Sequence, residues 1–556
     1  MPILIDEPGK EVLLMGNEAI VRGAVEGGVG FFAQYPGTPS SEIGNLFSQV
    51  SKEIGIHFEY SANEKVSVEG AAAAAVSGVR SMAAMKHVGL NVASDAFLTV
   101  TYTGVRAGMV VVCAGDPSLH SSQSEQDNRF YTKLAGGLVM LEPSTPKEAY
   151  TMVKKAFDIS EELELPVLLY TTTRVNHSRE GVTLGELPKE WKTKGHFEKD
   201  PFRFVVVPAV GRQRHKVALE QMEKALGVSE SSPFNFIKGE GKVGIVTSGV
   251  SAGYVMDAVE DLGAEEEVSI LKLGMTHPLP KKLCESFIKG VGVILVVEEL
   301  EPYLENEIKV MVADLDLNRR VLGKGSGHFP RLYEFTPDKV KMEIAKVLGV
   351  KLEKPETMEV PPLPPRPPLL CPGCPHRATY YAIKMATKGK GIYPTDIGCY
   401  TLGLLPPINM ADFLLCMGSS VGSVGGFAKV TDQKVISFIG DSTFFHAGIP
   451  ALINAVHNQH PFLLVIMDNQ TTAMTGHQSH PGIGFSSWIG GPPETWVEAP
   501  AVPAEEIARG CGVKDVWVVD PHNLKETFMA VRQALEVEGV AVLISRHPCP
   551  LLERGE

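Results

Sequence analysis

Short apolar runs bounded by glycine, proline and polar turns recur along the chain, separated by stretches with helical periodicity. Gly30-Phe31-Phe32-Ala33 leads into a turn at Pro36-Gly37-Thr38-Pro39, a small-residue helix is predicted from about Glu64 to Val79, and Met109 to Cys113 reads as a buried strand. Val243 to Thr247 predicts a strand, followed by a Gly/Ser turn and a helix over Val255 to Leu262. Val293 to Val297 repeats the buried-strand signal. Val435 to Ile439, Phe462 to Met467 and Val516 to Val519 are short apolar strands alternating with helical patterns. Such alternation predicts an α/β fold of parallel sheets with crossover helices.

The strongest break in this pattern is Lys354 to Leu370, KPETMEVPPLPPRPPLL, whose seven prolines exclude helix and central strand and predict a stiff, extended linker. A weaker break lies near Gly211 to Lys242, where apolar periodicity gives way to polar, Gly/Ser-containing sequence. The expected organisation is therefore residues 1–210, 211–353, a linker over 354–370, and 371–556. A chain of 556 residues exceeds what one core organises, and 44% hydrophobic with 21% charged residues is ordinary for a globular protein. A formal net charge of −13 argues against nucleic acid or an anionic membrane as main partner. No apolar run is long enough for a bilayer, and Met1 to Lys10 is acidic and lacks the marks of a signal peptide, so a cytoplasmic location is expected.

Two strand ends carry candidate chemistry. Val435-Ile439 runs into Gly440-Asp441-Ser442, and Phe462-Met467 runs into Asp468-Asn469-Gln470-Thr471. Ligands of open parallel sheets gather at the carboxyl ends of strands. Magnesium takes oxygen ligands and bridges protein carboxylates or amides to a diphosphate. Asp441, the Asn469 side-chain oxygen and the Thr471 carbonyl are three candidate ligands. Upstream, the Gly-rich stretch Met417 to Gly426, with Gly418 near its start, would let backbone amides approach phosphate. Of eight cysteines, Cys371 and Cys374 form a Cys-Pro-Gly-Cys pair after the linker, Cys399 follows 25 residues later, and Cys549 lies near the end. Spacing alone leaves an iron–sulfur cubane and a zinc site equally open. Cys113, Cys284, Cys416 and Cys511 stand alone in apolar surroundings and read as buried small hydrophobes.

A strand-end Gly-Asp with an Asn 28 residues after the Asp resembles the thiamine diphosphate motif of transketolase- and decarboxylase-type enzymes; Ser442 departs from the usual glycine. Together with the opening Cys-Pro-Gly-Cys, the chain resembles the 2-oxoacid:ferredoxin oxidoreductase family. The segments Lys86 to Asn91, Asp116 to Gln123 and Thr472 to Gln478 resemble its arylpyruvate (indolepyruvate) branch, and the likeness to that branch's larger alpha subunit covers nearly the whole chain. The resemblance implies two thiamine-type domains with a transketolase C-terminal-like domain between them. It implies thiamine diphosphate, Mg²⁺ and one [4Fe–4S] cluster on Cys371, Cys374, Cys399 and Cys549, with Cys511 a rival for the fourth place. It assigns the aminopyrimidine carboxylate to Glu64, with Glu69 as fallback, and a substrate-carboxylate contact to the Thr38 hydroxyl; His87 and His446 are candidate acid–base or carboxylate-contacting groups.

The implied reaction is oxidative decarboxylation of an arylpyruvate with coenzyme A to an aryl-acetyl-CoA. The cofactor stabilises the carbanion left by carbon dioxide, and the cluster removes electrons singly. The implied assembly contains a smaller beta-type subunit and a homodimer of this chain, within a heterotetramer or larger, in which Asp441 and Glu64 meet across copies. Alpha subunits of this kind usually continue into a ferredoxin-like module. Here the sequence ends at Glu556, seven residues after Cys549, so a ferredoxin or ferredoxin-like subunit is the expected electron carrier. The competing expectations are a non-oxidative thiamine decarboxylase or carboligase without a redox cluster, and a non-catalytic subunit that keeps the fold.

Overall fold

The apolar runs form strands because β-branched and aliphatic residues buried on both faces suit parallel sheets covered by helices. In the computed structural model, which describes residues 2–134, 136–352, 361–364, 366–487 and 497–552, they build three such sheets. Residues 354–360 and 365 of the expected linker lie outside the described residues. The chain forms two units, Met1–Glu59 with Glu64–Thr357, and Tyr60–Asn63 with Met358–Glu556.

The first unit carries a seven-stranded sheet in the order Met275–His277, Val139–Leu141, Val167–Thr172, Met109–Gly115, Ser81–Lys86, Phe31–Gln34, His57–Tyr60. From Val139–Leu141 to Phe31–Gln34 the neighbours are parallel. Their carboxyl ends therefore lie along one edge, where Thr38, His87 and Asp116 follow their strands. A five-stranded sheet, ordered Arg320–Leu322, Val293–Val297, Val243–Ser248, Val268–Leu273, Phe236–Lys238, completes this unit.

Segments 1–210 and 211–353 thus share one unit and one sheet. The polar stretch expected to divide them is largely a helix, Pro208–Glu230, which buries Val210, Ala218, Ala225 and Ser229. Its apolar stripe is narrow, so its period is faint in sequence. Met275–His277 forms a strand antiparallel to Val139–Leu141. Arg129 adds a buried tie across the same region. Its guanidinium donates to Asp127 at 2.8 and 2.6 Å, to Glu298 at 2.9 Å, and to the carbonyls of Glu299 and Glu301.

Glu299 is buried beside this network and accepts the Phe335 amide at 2.8 Å. Burial raises its carboxyl to about 7 despite that amide, with Glu334 adding to the rise. The folded chain holds this proton more tightly than the unfolded chain, whose glutamate titrates near 4.5. The resulting stability is full below about 4.5 and is lost as pH rises through about 7. Glu299→Gln keeps the acceptor and removes the titration. Its melting temperature should exceed the parent's at pH 8 by a few degrees and match it at pH 5, as read by calorimetry.

The second unit is built on a four-stranded, wholly parallel sheet, ordered Ile436–Gly440, Phe462–Asp468, Val540–Arg546, Asp515–Val519. Leu464, Val465, Ile466, Leu543 and Ile544 are fully buried at its centre. Each such side chain contributes roughly 1.5–3 kcal/mol. Among the described residues no helix is long and apolar enough to cross a membrane.

Candidate active site

In the second unit two neighbouring strands end in the polar clusters read from sequence. Asp441 directly follows Ile436–Gly440 and opens the helix Asp441–Thr443. Asn469 and Thr471 follow Phe462–Asp468, and Asp441, Ser442, Asn469 and Thr471 are all buried. The Asn469 amide presents its oxygen to Asp441 Oδ2 at 3.3 Å and to the Thr471 carbonyl at 2.8 Å; turned over, its nitrogen would donate to both. With the nitrogen there the three groups are joined by hydrogen bonds, and with the oxygen there they would offer a cation three oxygens.

Asp441 is held as a carboxylate. Burial works against its charge, but His480, the Ser442 amide and His376 outweigh burial and keep it below the ordinary range. His480 Nε2 lies 3.2 Å from Asp441 Oδ2, and its Nδ1 accepts the Gly482 amide at 3.1 Å. That acceptance places the imidazole proton on Nε2, toward Asp441. His376, of the Cys-Pro-Gly-Cys-Pro-His segment, is pulled down to about 4 by burial, against the pull of Asp441. Asp468 is engaged elsewhere: Arg546 Nε donates to it at 2.6 Å.

The Gly-rich stretch is shaped by a carboxylate that sequence reading passed over. Asp396, fully buried, accepts the amides of Gly418 at 2.9 Å and Ser420 at 3.0 Å. Gly418 has φ +87°, and a Cβ there would lie 2.7 Å from the Ala447 Cβ, so both backbone and space require glycine. Gly440 is needed for a different reason: a Cβ would lie 2.5 Å from the Tyr400 ring. His446 is buried in the π-helical turn Phe444–Gly448 that continues the Asp441 helix.

Cys371, Cys374, Cys399 and Cys549 come together in this unit, and neighbouring thiols help raise the pKa values of Cys374, Cys399 and Cys549. Burial, then the other thiols, pushes Cys374 up to about 11 and Cys399 up to about 12. Burial is also the main cause for Cys549, which feels Cys371 and Asp441. Cys511 is raised by burial alone and packs in a different apolar cluster, with Val456 and Ile507. The Cys549 amide donates to the Asn469 carbonyl at 3.0 Å, and the His547 amide to the Asp468 carbonyl at 3.0 Å. The cysteine-bearing tail is thereby joined to the turn that carries Asn469.

In the first unit, Glu64 opens the helix Glu64–Val76 and is buried, whereas Glu69 is exposed and paired with Lys65. Five residues along a helix turn the side chain by about 140°, which separates the two. Gly89, on the helix His87–Thr103, makes room for Glu64: a Cβ would lie 2.5 Å from Glu64 Oε1 and 2.7 Å from its Cγ. Nearby, Lys86 is drawn down to about 8 by burial, against Asp116 and Glu64, and its ammonium donates to the Ser121 carbonyl. Asp116 gathers the loop after its strand, accepting from the Ser121 amide, Ser122 Oγ and Thr173 Oγ1 at 2.6–2.8 Å. Ser121 Oγ in turn donates to the Thr38 carbonyl at 3.0 Å. His87 is fully buried, its Nε2 is 2.9 Å from the Ser124 carbonyl, and burial keeps it neutral by lowering its pKa.

Residues 22–226 match the family described as pyruvate flavodoxin/ferredoxin oxidoreductase, thiamine diphosphate-binding, residues 236–360 the indolepyruvate oxidoreductase domain, and residues 396–545 the C-terminal binding domain of thiamine pyrophosphate enzymes. Fold and site together define a thiamine diphosphate-dependent 2-oxoacid oxidoreductase. The chain is 51% identical to indolepyruvate oxidoreductase subunit IorA of Methanothermobacter marburgensis, over 98% of this chain and 88% of that one. It is 46% identical to the subunit of the same name from Pyrococcus horikoshii, over 100% and 88%. It belongs to the family of indolepyruvate oxidoreductase subunits IorA. Its fold is also that of a solved 2-oxoglutarate:ferredoxin oxidoreductase from Magnetococcus marinus, with TM-score 0.50 and 18% identity over 60% of this chain and 65% of that one.

Proposed function

We propose that the chain oxidatively decarboxylates an arylpyruvate, such as indolepyruvate, with coenzyme A to an aryl-acetyl-CoA and carbon dioxide. Cys371, Cys374, Cys399 and Cys549 would hold a [4Fe–4S] cluster, which would supply one-electron transfer to a ferredoxin-type acceptor. The observation that carries this reading is the hydrogen bond from the Cys549 amide to the Asn469 carbonyl, within a cluster where Cys399 and Cys549 also feel Asp441. A thiol quartet and a diphosphate-type turn held this close suit electron removal at the site of decarboxylation.

The residues fit the groups. With its amide turned oxygen-inward, Asn469 would join Asp441 and the Thr471 carbonyl in offering three oxygens to a hard cation such as Mg²⁺. The raised pKa values of Cys374, Cys399 and Cys549 would be overcome where a metal takes the protons' place, and with the exposed Cys371 they make the four ligands of one cubane. When bound, thiamine diphosphate supplies the electron sink for decarboxylation. This chain's own groups do the rest. Gly418 and its neighbours receive the diphosphate, Glu64 holds the aminopyrimidine, and Thr38 and the neutral His87 meet the substrate carboxylate, with His446 beside Asp441's helix. The working assembly is a homodimer of this chain with a smaller second subunit, in the cytoplasm.

Anaerobic turnover of indolepyruvate, phenylpyruvate and pyruvate with coenzyme A and a viologen tests the reading. Viologen reduction fastest with an aryl substrate is expected. A colourless chain that releases carbon dioxide without reducing viologen would overturn it in favour of a non-oxidative decarboxylase. Glu64→Gln should lower turnover by about 10²–10⁴-fold while cofactor binding persists, and Glu69→Gln should leave both near the parent's values. Steady-state rates at saturating cofactor, with cofactor titrations alongside, check this.

A further inference from the structure

Away from the thiols and the Asp441 turn, the second unit gathers another set of ligating side chains. Asp515–Val519 and Val540–Arg546 are adjacent parallel strands, so their carboxyl ends lie side by side. Asp520 directly follows the first strand, His522 stands in the turn beyond it, and His547 directly follows the second. One ligand atom from each of the three lies within 4.8 Å of the other two. His547 Nδ1 is 3.1 Å from Asp520 Oδ1, the two imidazole rings are 3.9 Å apart at 47°, and the His522 amide donates to Asp520 Oδ1 at 2.9 Å. The Asp520 side chain is 52% exposed and that of His547 25%, so the group is open to solvent ions.

The geometry points to a divalent transition-metal site of the zinc class on Asp520, His522 and His547. Zinc binds imidazole nitrogen and carboxylate oxygen at about 2.0–2.2 Å, which places tetrahedral ligands about 3.3 Å apart, close to the 3.1 Å between His547 and Asp520, with His522 within 4.8 Å of both. Two nitrogens and one oxygen are borderline donors, suited to Zn²⁺, Co²⁺ or Ni²⁺ rather than to the hard cation that the Asp441 oxygens fit. Three protein ligands leave a fourth position for water. The site would also act as a clamp. His547 is two residues from Cys549, and both amides are bonded to the Asp468-Asn469 turn. A metal bridging His547 to Asp520 would fasten this tail to the end of the neighbouring strand, whether or not the thiols hold a cluster.

Calorimetric titration of Zn²⁺ into anaerobically purified full-length chain, with iron content measured on the same samples, tests this. His522→Ala and Asp520→Asn should each weaken zinc binding about ten- to a hundredfold without changing iron content. Co²⁺ in place of zinc should give ligand-field bands without thiolate charge transfer. Zinc should also slow exchange of the His547 and Cys549 amides in the parent and not in His522→Ala. Equal zinc affinity in parent and both variants, or a cobalt spectrum dominated by thiolate bands, would overturn the assignment.

Discussion

Asp441→Ala should leave a folded chain that no longer retains thiamine diphosphate, with affinity in the presence of Mg²⁺ reduced at least about a hundredfold. Asp441 is the one anion of the three groups that meet at the strand ends, the others being the Asn469 amide and the Thr471 backbone carbonyl. Its charge is maintained against burial by His480, the Ser442 amide and His376. Removing it leaves two neutral donors, too few to draw a divalent cation out of water. Asp468→Asn is the informative companion. Asp468 is adjacent to Asn469 in sequence but is committed to Arg546, so its loss should cost stability more than cofactor. Cofactor content after dialysis, followed by calorimetric titration with Mg²⁺ present, measures both. Retention of cofactor by Asp441→Ala would refute the assignment.

Cys549→Ser should reduce iron from about four per chain to little or none and bleach the thiolate-to-iron absorption, while Cys511→Ser leaves both intact. Cys371, Cys374, Cys399 and Cys549 each lie within electrostatic reach of the other three. Cys511 instead packs against Val456 and Ile507. Serine keeps the size of the side chain but is a poor iron ligand, so the effect reports ligation rather than packing. Iron quantification and anaerobic absorption spectra of the two variants decide it. Loss of iron in Cys511→Ser with retention in Cys549→Ser would reverse the choice of fourth ligand.

Strand positions were largely legible because buried strands are continuous apolar runs: Val293–Val297 matches the expectation residue for residue, and Phe462–Asp468 exceeds it by one. The Asp441 and Asn469 turns were legible for the same reason, since each closes such a run. Contacts between distant segments were not. Nothing local marks Met275–His277 as a strand, because its partner, Val139–Leu141, lies far back in the chain. His480 is a lone histidine in sequence and becomes informative only beside Asp441. Asp396 was visible only as the neighbour of a cysteine turn, although it is the residue that holds the Gly418 turn in shape. The resemblance put Glu64 ahead of Glu69, and only the structure shows Glu64 buried and Glu69 exposed. Cys511 and Cys549 could not be separated in advance, because that choice depends on which end of the sheet each reaches.

On the function proposed above, the bond from the Cys549 amide to the Asn469 carbonyl would link loading of cluster and cofactor in one thermodynamic cycle. Whatever orders the Asn469 turn also lowers the entropy cost of fixing Cys549, and the converse holds by the same factor. Cofactor added to the apo chain should therefore slow iron loss to a chelator, and an intact cluster should tighten retention of the cofactor. A preparation stripped of one would then leak the other, so partial reconstitution would yield fully loaded and empty chains in preference to half-loaded ones.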